Sequence, residues 1–280
     1  MKNYFFLLFV CVVGISCSKL NKDEPIPCYI RINTINLLTN YPSQGSSTNK
    51  FTDAWVYVDD KIIGIFELPV VFPVIATEGI HEIKIRAGIK NNGVNNTRVV
   101  YPVCDYYTTN TYLFTDSVIV LNPTVTYFPT TTFKWLEDFE GASLSFTKAA
   151  SSDTIIKAGT SEVFEGLKSG LVELGANDNY FEAISNQSYS LPASGRPVYL
   201  EFNYHATQSF EVGVYVNNAS IQASAIVLNP TESWNKMYLH LTPIISSSNY
   251  TGPFKIYFKI NKSTSDGAKL LLDNIKLVHS

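Results

Sequence analysis

Four tyrosines, Tyr199, Tyr215, Tyr238 and Tyr257, fall in segments where polar and apolar residues alternate. Successive side chains of a β-strand point to opposite faces. Val198, Leu200, Phe202 and Tyr204 therefore sort to one side, and Tyr199, Glu201, Asn203 and His205 to the other. The same sorting separates Phe210, Val212, Val214 and Val216 from Glu211, Tyr215 and Asn217. It sets Met237, Leu239 and Leu241 against Tyr238 and His240, and Phe254, Ile256, Phe258 and Ile260 against Lys255, Tyr257 and Lys259. The expected product is a sheet face where tyrosine rings stand among carboxylate, amide, imidazole and ammonium groups. Flat rings with polar edges can stack on sugar rings, and such neighbours hydrogen-bond hydroxyls. Tyr199, His205, Tyr215, Tyr238, His240 and Tyr257 are the candidate ligand-binding residues on this reasoning.

Patterns that carry catalysis are missing. The sequence has no G-x-S-x-G nucleophile elbow, no H-E-x-x-H zinc helix and no phosphate-binding glycine loop. Aspartates and glutamates sufficient for a glycosidase pair exist in any chain of this size, so their presence carries no weight. A non-catalytic protein is expected. The net charge of −3 is spread without runs, which gives no basic footprint for nucleic acid.

The elements that must position these residues are strands. Only 16% of residues are charged and 13% are aromatic, with many Tyr, Thr, Ser and Asn. That composition suits pleated, half-buried surfaces. Alternating segments recur between clusters of Asn, Gly, Pro and Ser, and no amphipathic helix stands out. Residues 53–64 and 197–217 are the clearest strand regions. The expectation is an all-β chain of two β-sandwich domains at 27–128 and 133–280, joined by a threonine- and proline-rich connector at 129–132.

The amino end reads differently. Met1, Lys2 and Asn3 precede an apolar run of roughly ten residues, about half of what a bilayer-spanning helix needs. Gly14, Ile15, Ser16 and Cys17 follow, and then a polar stretch. Small residues before a cysteine directly after an apolar core resemble the lipobox of bacterial lipoproteins. The resemblance implies a leader at 1–16, a diacylglycerol thioether on Cys17 and a tether at 17–26. Several acyl chains on one residue would hold the protein stably at a membrane. Ser18 after the cysteine implies the outer membrane, and Asp23 with Glu24 resembles a signal for exposure on the cell surface. Cys11 would leave with the leader. Cys28 and Cys104 then remain, either as a disulfide of an oxidising compartment or as two buried thiols.

Within the first block, Val56, Tyr57, Val58 and Asp59 open a hairpin. Pro69 and then Gly79, His81, Ile83 and Ile85 follow. This order resembles PEGA-type immunoglobulin-like modules of bacterial surface proteins, which serve as spacers or interaction surfaces. His81, the single histidine of this block, reads as a strand-surface residue.

The second block opens with Asp138, Phe139 and Glu140. It continues through Gly166, Ser169 and Gly170, has Trp234 before a strand, and closes with Leu272, Asp273, Asn274, Ile275 and Leu277. That order resembles the galactose-binding-like jelly rolls, a superfamily that includes many carbohydrate-binding modules. The resemblance implies a sugar-binding sheet face. It also implies a structural Ca²⁺ between the first and last strands, with Glu137, Asp138, Glu140 and Asp273 at the matching positions; oxygen ligands suit this hard cation. The expected partners are a membrane, reached through the lipid, and a glycan or another envelope protein.

Overall fold

A computed structural model describes residues 25–263 and 266–280. The leader, Cys17 and most of the tether lie outside the described residues. Among the described residues the first half builds ten strands: β1 (Cys28–Ile32), β2 (Asn36–Leu38), β3 (Asp53–Val58), β4 (Lys61–Glu67), β5 (Val70–Val74), β6 (Gly79–Lys90), β7 (Arg98–Val100), β8 (Tyr107–Leu113), β9 (Val118–Leu121) and β10 (Thr124–Thr126). The second half builds eleven: β11 (Thr132–Glu137), β12 (Phe146–Lys148), β13 (Lys157–Gly159), β14 (Ser169–Leu174), β15 (Tyr180–Ser185), β16 (Val198–Ala206), β17 (Phe210–Val216), β18 (Ile221–Leu228), β19 (Asn235–His240), β20 (Lys255–Asn261) and β21 (Ala268–His279). Helix is confined among the described residues to two four-residue turns, Tyr41–Gln44 and Thr242–Ile245, and a 3₁₀ turn, Asn91–Gly93. The chain is all-β, as its composition implies.

In the first half, β5-β1-β9 faces the sheet β4-β3-β6-β7, to which β8 adds along β6. Ile30, Ile32, Phe72 and Val74 from one layer meet Val56, Val58, Ile83 and Ile85 from the other in a shared core. The hairpin from β3 to β4 turns on Asp59 and Asp60, both with positive φ, 50° and 62°. Consecutive residues of that conformation make the two-residue turn whose twist matches paired strands, and aspartate tolerates it.

In the second half, β13-β14-β21-β16-β19, with β11 also on β21, packs against β12-β15-β20-β17-β18. The first and last strands pair antiparallel, Glu137 opposite Ile275. The core between the layers holds Phe202, Leu200, Leu272 and Leu277 from one and Phe181, Val212, Val214, Ile256 and Phe258 from the other. Apart from the hairpins β13–β14 and β17–β18, strands adjacent in sequence alternate between layers, so β16 and β17 belong to different sheets.

No strand pairing among the described residues crosses from one half to the other. Side chains make the join instead. Tyr199, Tyr238 and Val278 of the second half enter the first half's apolar core. Below them lies a buried polar cluster. Glu201 is fully buried and accepts hydrogen bonds from Tyr101 Oη at 2.6 Å and Tyr127 Oη at 2.7 Å. Its other oxygen lies 3.3 Å from Lys236 Nζ. Lys276 donates to the Ser46 carbonyl and, at 3.2 Å, to Tyr127 Oη. Burial works to raise the Glu201 carboxyl, but the two ammoniums and two phenols overcome it and hold the group below the usual glutamate range. At the rim Thr48 donates to Asn203 at 3.1 Å, Lys50 N–H to Tyr238 Oη at 3.0 Å, and Ser46 to Glu165.

Candidate functional site

The structure corrects the expectation of one face bearing four tyrosines. The period-two sorting holds strand by strand, but β16 and β19 carry Tyr199 and Tyr238 on one sheet, while β17 and β20 carry Tyr215 and Tyr257 on the other. The first sandwich packs over the β16/β19 face. Tyr199 and Tyr238 are each 3% exposed and pack edge to face with Tyr101 at ring distances of 5.3 and 4.9 Å. His240 lies flat on Tyr199 at 5.0 Å, and its backbone N–H donates to Asn92 at 2.7 Å. Burial pushes its imidazole below the ordinary histidine value. His205 sits at the sheet end near Trp234, with rings 6.4 Å apart. These four residues form no open site.

The first sandwich does not cover the outer face of the other sheet, but Tyr257 is fully buried there. Glu182 is 2% exposed, packed under Tyr215 and Gln222. Of the two tyrosines expected on this face only Tyr215 reaches solvent. Tyr257 lies across Gly213, its cross-strand partner on β17. A Cβ at residue 213 would stand 2.3 Å from Tyr257 Oη and 2.5 Å from the Ala223 carbonyl, so only glycine admits the flat ring. Tyr257 Oη reaches Glu211 at 2.5 Å, and Lys259 pairs with Glu211 at 3.0 Å. Burial raises the Glu211 carboxyl, yet the Tyr257 and Lys259 hydrogen bonds bring it below its ordinary value. Tyr215 leans over Tyr257 edge to face at 5.5 Å and donates to Glu182 at 2.7 Å. Gln222 donates to both, at 2.6 Å to Glu182 and 2.7 Å to Tyr215 Oη. Tyr180 also donates to Glu182. Burial first, and the Glu182 hydrogen bond second, push the Tyr215 phenol up to about 12. A cleft of about 230 Å³ continues from Glu211 and Lys259 to Ser209, Asn261 and Ser263.

Tyr180, Glu182 and Gln222 were not among the candidates from the sequence. The signal was present in β15, where Tyr180, Glu182 and Ile184 alternate with Phe181, Ala183 and Ser185, and in β18 at Gln222. Small and apolar residues at outward positions blurred the contrast.

The four carboxylates expected around calcium are not brought together. Glu137 accepts from Phe139 N–H at 2.9 Å and Ser145 N–H at 2.6 Å. Asp138 accepts from Tyr41 Oη at 2.8 Å, and Glu140 from the N–H groups of Leu167 and Lys168 at 2.7 and 2.8 Å. Asp273 accepts from Ser169 Oγ at 2.6 Å and Asn274 N–H at 2.8 Å. Burial raises the Asp273 carboxyl to about 6. Among the described residues no group of three or more His, Cys, Asp or Glu is arranged to hold a metal ion.

Cys28 and Cys104 are free, buried thiols rather than a disulfide. Cys28 Sγ donates to the Val74 carbonyl at 3.5 Å, and Cys104 bridges to Tyr127 at the join. Burial raises both thiols above their ordinary value, Cys104 strongly. His81 is a strand-surface residue whose two ring nitrogens lie 2.6 Å from Asp59 and 2.7 Å from the Thr77 carbonyl.

No family model matches the chain, and no curated protein matches it. Among solved structures, a mutant of a family 29 carbohydrate-binding module is similar at 13% identity, over 53% of this chain and 85% of the module, with a TM-score of 0.36. Another mutant of that module, complexed with mannohexaose, is similar at 13% identity over 54% and 90%, with a TM-score of 0.35. A further family 29 module gives 14% identity over 54% and 87%, with a TM-score of 0.34.

Proposed function

We propose that the chain is a non-catalytic glycan-binding lipoprotein of the cell envelope, held at the outer membrane through Cys17. The proposed binding face is the outer surface of β15-β20-β17-β18. One observation carries the assignment. Glu182 gathers Tyr180, Tyr215 and Gln222 on a sheet face that the first sandwich leaves open. Rings fixed before binding lose little conformational entropy when a ligand stacks on them. Glu211, Lys259 and the adjoining cleft offer acceptors and donors for hydroxyls. Titration of the chain against a glycan array, beside Tyr215→Ala and Gln222→Ala variants, tests the proposal. Binding that both changes weaken supports it; binding indifferent to both, or no signal from any glycan, removes it.

A structural or assembly role is the second reading, and one surface favours it. Tyr29, Val71, Val118 and Val120 are 37%, 47%, 54% and 51% exposed. Strand register sets them side by side across β5-β1-β9, around Arg31. Contiguous apolar patches of this kind mark contact surfaces. Co-purification of a stoichiometric envelope partner, lost on Val118→Glu, would favour assembly over glycan binding.

A further inference from the structure

The first sandwich carries its own groove, on the sheet face remote from its core. Tyr57, Lys84 and Thr108 lie in one cross-strand row over β3, β6 and β8. With Asp60, Asp105 and Tyr106 they line an open groove of about 570 Å³. In the next row Trp55 stands opposite Arg86. Aromatic rings thus flank a central strand bearing two cations. Tyr106 is 42% exposed, and the Arg86 guanidinium rests 4.8 Å from its ring centroid.

The two cations differ in their partners. Lys84 is neutralised within the protein, 2.7 Å from Asp60 and 2.8 Å from Glu82. Among the described residues Arg86 has no carboxylate in ion-pair range, and its Nε is buried without an acceptor. Trp55 Nε1, on the residue paired with it, is also buried without one. A half-buried arginine normally meets a carboxylate or another acceptor, because unmet charged donors are costly. Those two nitrogens are themselves out of a ligand's reach. The Arg86 guanidinium, however, lies against the exposed Tyr106 ring at the groove and brings a cation with no carboxylate partner among the described residues to its edge, which calls for a ligand that supplies oxygens and a flat face. Asp60 and Asp105 stand at the groove as well. Asp60 is engaged by Lys84, and Asp105 takes the Tyr106 N–H at 2.7 Å. Their charge limits the site to a sparse anion rather than a polyanion.

We propose that this groove is a second binding site, for a saccharide bearing a carboxylate, with Arg86 pairing the carboxylate and Tyr57 and Tyr106 stacking the sugar. It is independent of the Tyr215 face. The test is titration of the chain with oligogalacturonate, with its methyl ester and with a short polyglutamate peptide, at low and high salt. Oligogalacturonate is expected to bind, more weakly as salt rises. Arg86→Gln and Tyr106→Ala should each weaken it about tenfold or more. Tyr106 is exposed, so its removal leaves the core intact should Arg86→Gln perturb folding. Tyr215→Ala should leave this binding unchanged. Equal binding of the methyl ester or of polyglutamate overturns the assignment of the ligand. Loss on Tyr215→Ala but not on Arg86→Gln or Tyr106→Ala overturns this site while sustaining the Tyr215 face. No oligogalacturonate binding overturns it outright and leaves array binding at the other face as a separate result.

Discussion

Glu201 is the residue whose replacement should most disturb the union of the two sandwiches. At 3.3 Å from Lys236 Nζ, its charge gives an attraction of about 5 kcal/mol with an effective dielectric constant of ~20. Desolvating both groups offsets much of that, so the pair adds little net stability. Removing one partner is another matter. Glu201→Gln keeps an acceptor for Tyr101 and Tyr127 but leaves Lys236 and Lys276, 7% and 1% exposed, without their counter-charge. Breaking a buried pair this way costs about 3–5 kcal/mol. That is a large part of the ~5–15 kcal/mol that separates a typical fold from its unfolded chain. Urea unfolding at pH 7 followed by tryptophan fluorescence measures it, since Trp55 reports the first half and Trp135 and Trp234 the second. One cooperative transition with a lowered midpoint is expected. Adding Lys236→Met should restore part of the loss, because it removes one orphaned charge. A loss below ~1 kcal/mol, or no recovery in the double variant, would refute the view that these charges are uncompensated without Glu201.

Gly213→Ala should destabilise the second sandwich by about 1–3 kcal/mol, because the new Cβ meets the Ala223 carbonyl and the Tyr257 ring; thermal melting and the near-ultraviolet tyrosine signal check both effects. Asp273 has its carboxyl raised from 3.8 to about 6, so its folded form binds a proton that the unfolded chain has released. Its burial penalty is therefore full above pH 6 and fades as pH falls toward 3.8. Asp273→Asn should raise the melting temperature above pH 6 and lose that advantage near pH 4; a pH-independent effect would contradict the assignment. Ca²⁺ at millimolar concentration should leave the melting temperature unchanged, since Glu137, Asp138, Glu140 and Asp273 are each held by protein donors; a rise reversed by chelator would restore the metal reading. Mass spectrometry of membrane-extracted protein should find the amino-terminal peptide beginning at an acylated Cys17; cleavage elsewhere would remove the lipid anchor.

Much of the secondary structure was legible because period-two alternation is a local property. Trp55 and Tyr57 separate from Val56 and Val58, and Tyr215 from Val214 and Val216, in the structure as in the sequence. Sheet membership is not local. The strands containing Tyr199 and Tyr215 are neighbours in the chain but lie in different layers, so residues that sort alike along each strand face opposite ways in space. Nor does alternation distinguish a polar face in water from one beneath another domain. Glu201 sorts onto the outward polar face, yet it is buried, and so is Lys236 beside it. The surviving clue was chemical: carboxylates, lysines and phenols concentrated on the strands that meet the first half, a combination able to satisfy itself when dry.

That chemistry appears twice in the second sandwich, with different completion. On the covered face Glu201 receives two phenols, Tyr101 and Tyr127, and lysines balance its charge, which suits a permanent contact. On the open face Glu182 receives two phenols and an amide, with no ion pair among the described residues. The Tyr215 oxygen donates to Glu182 and accepts from Gln222, so both its principal bonding directions are already taken. What remains available to a partner is the ring itself, held at a fixed tilt above Tyr257. A ligand that needs hydroxyl-to-phenol bonds would have to break this network, whereas one that stacks would not. The open face is therefore built for planar contact first, with hydrogen bonding supplied from its margin by Glu211 and Lys259.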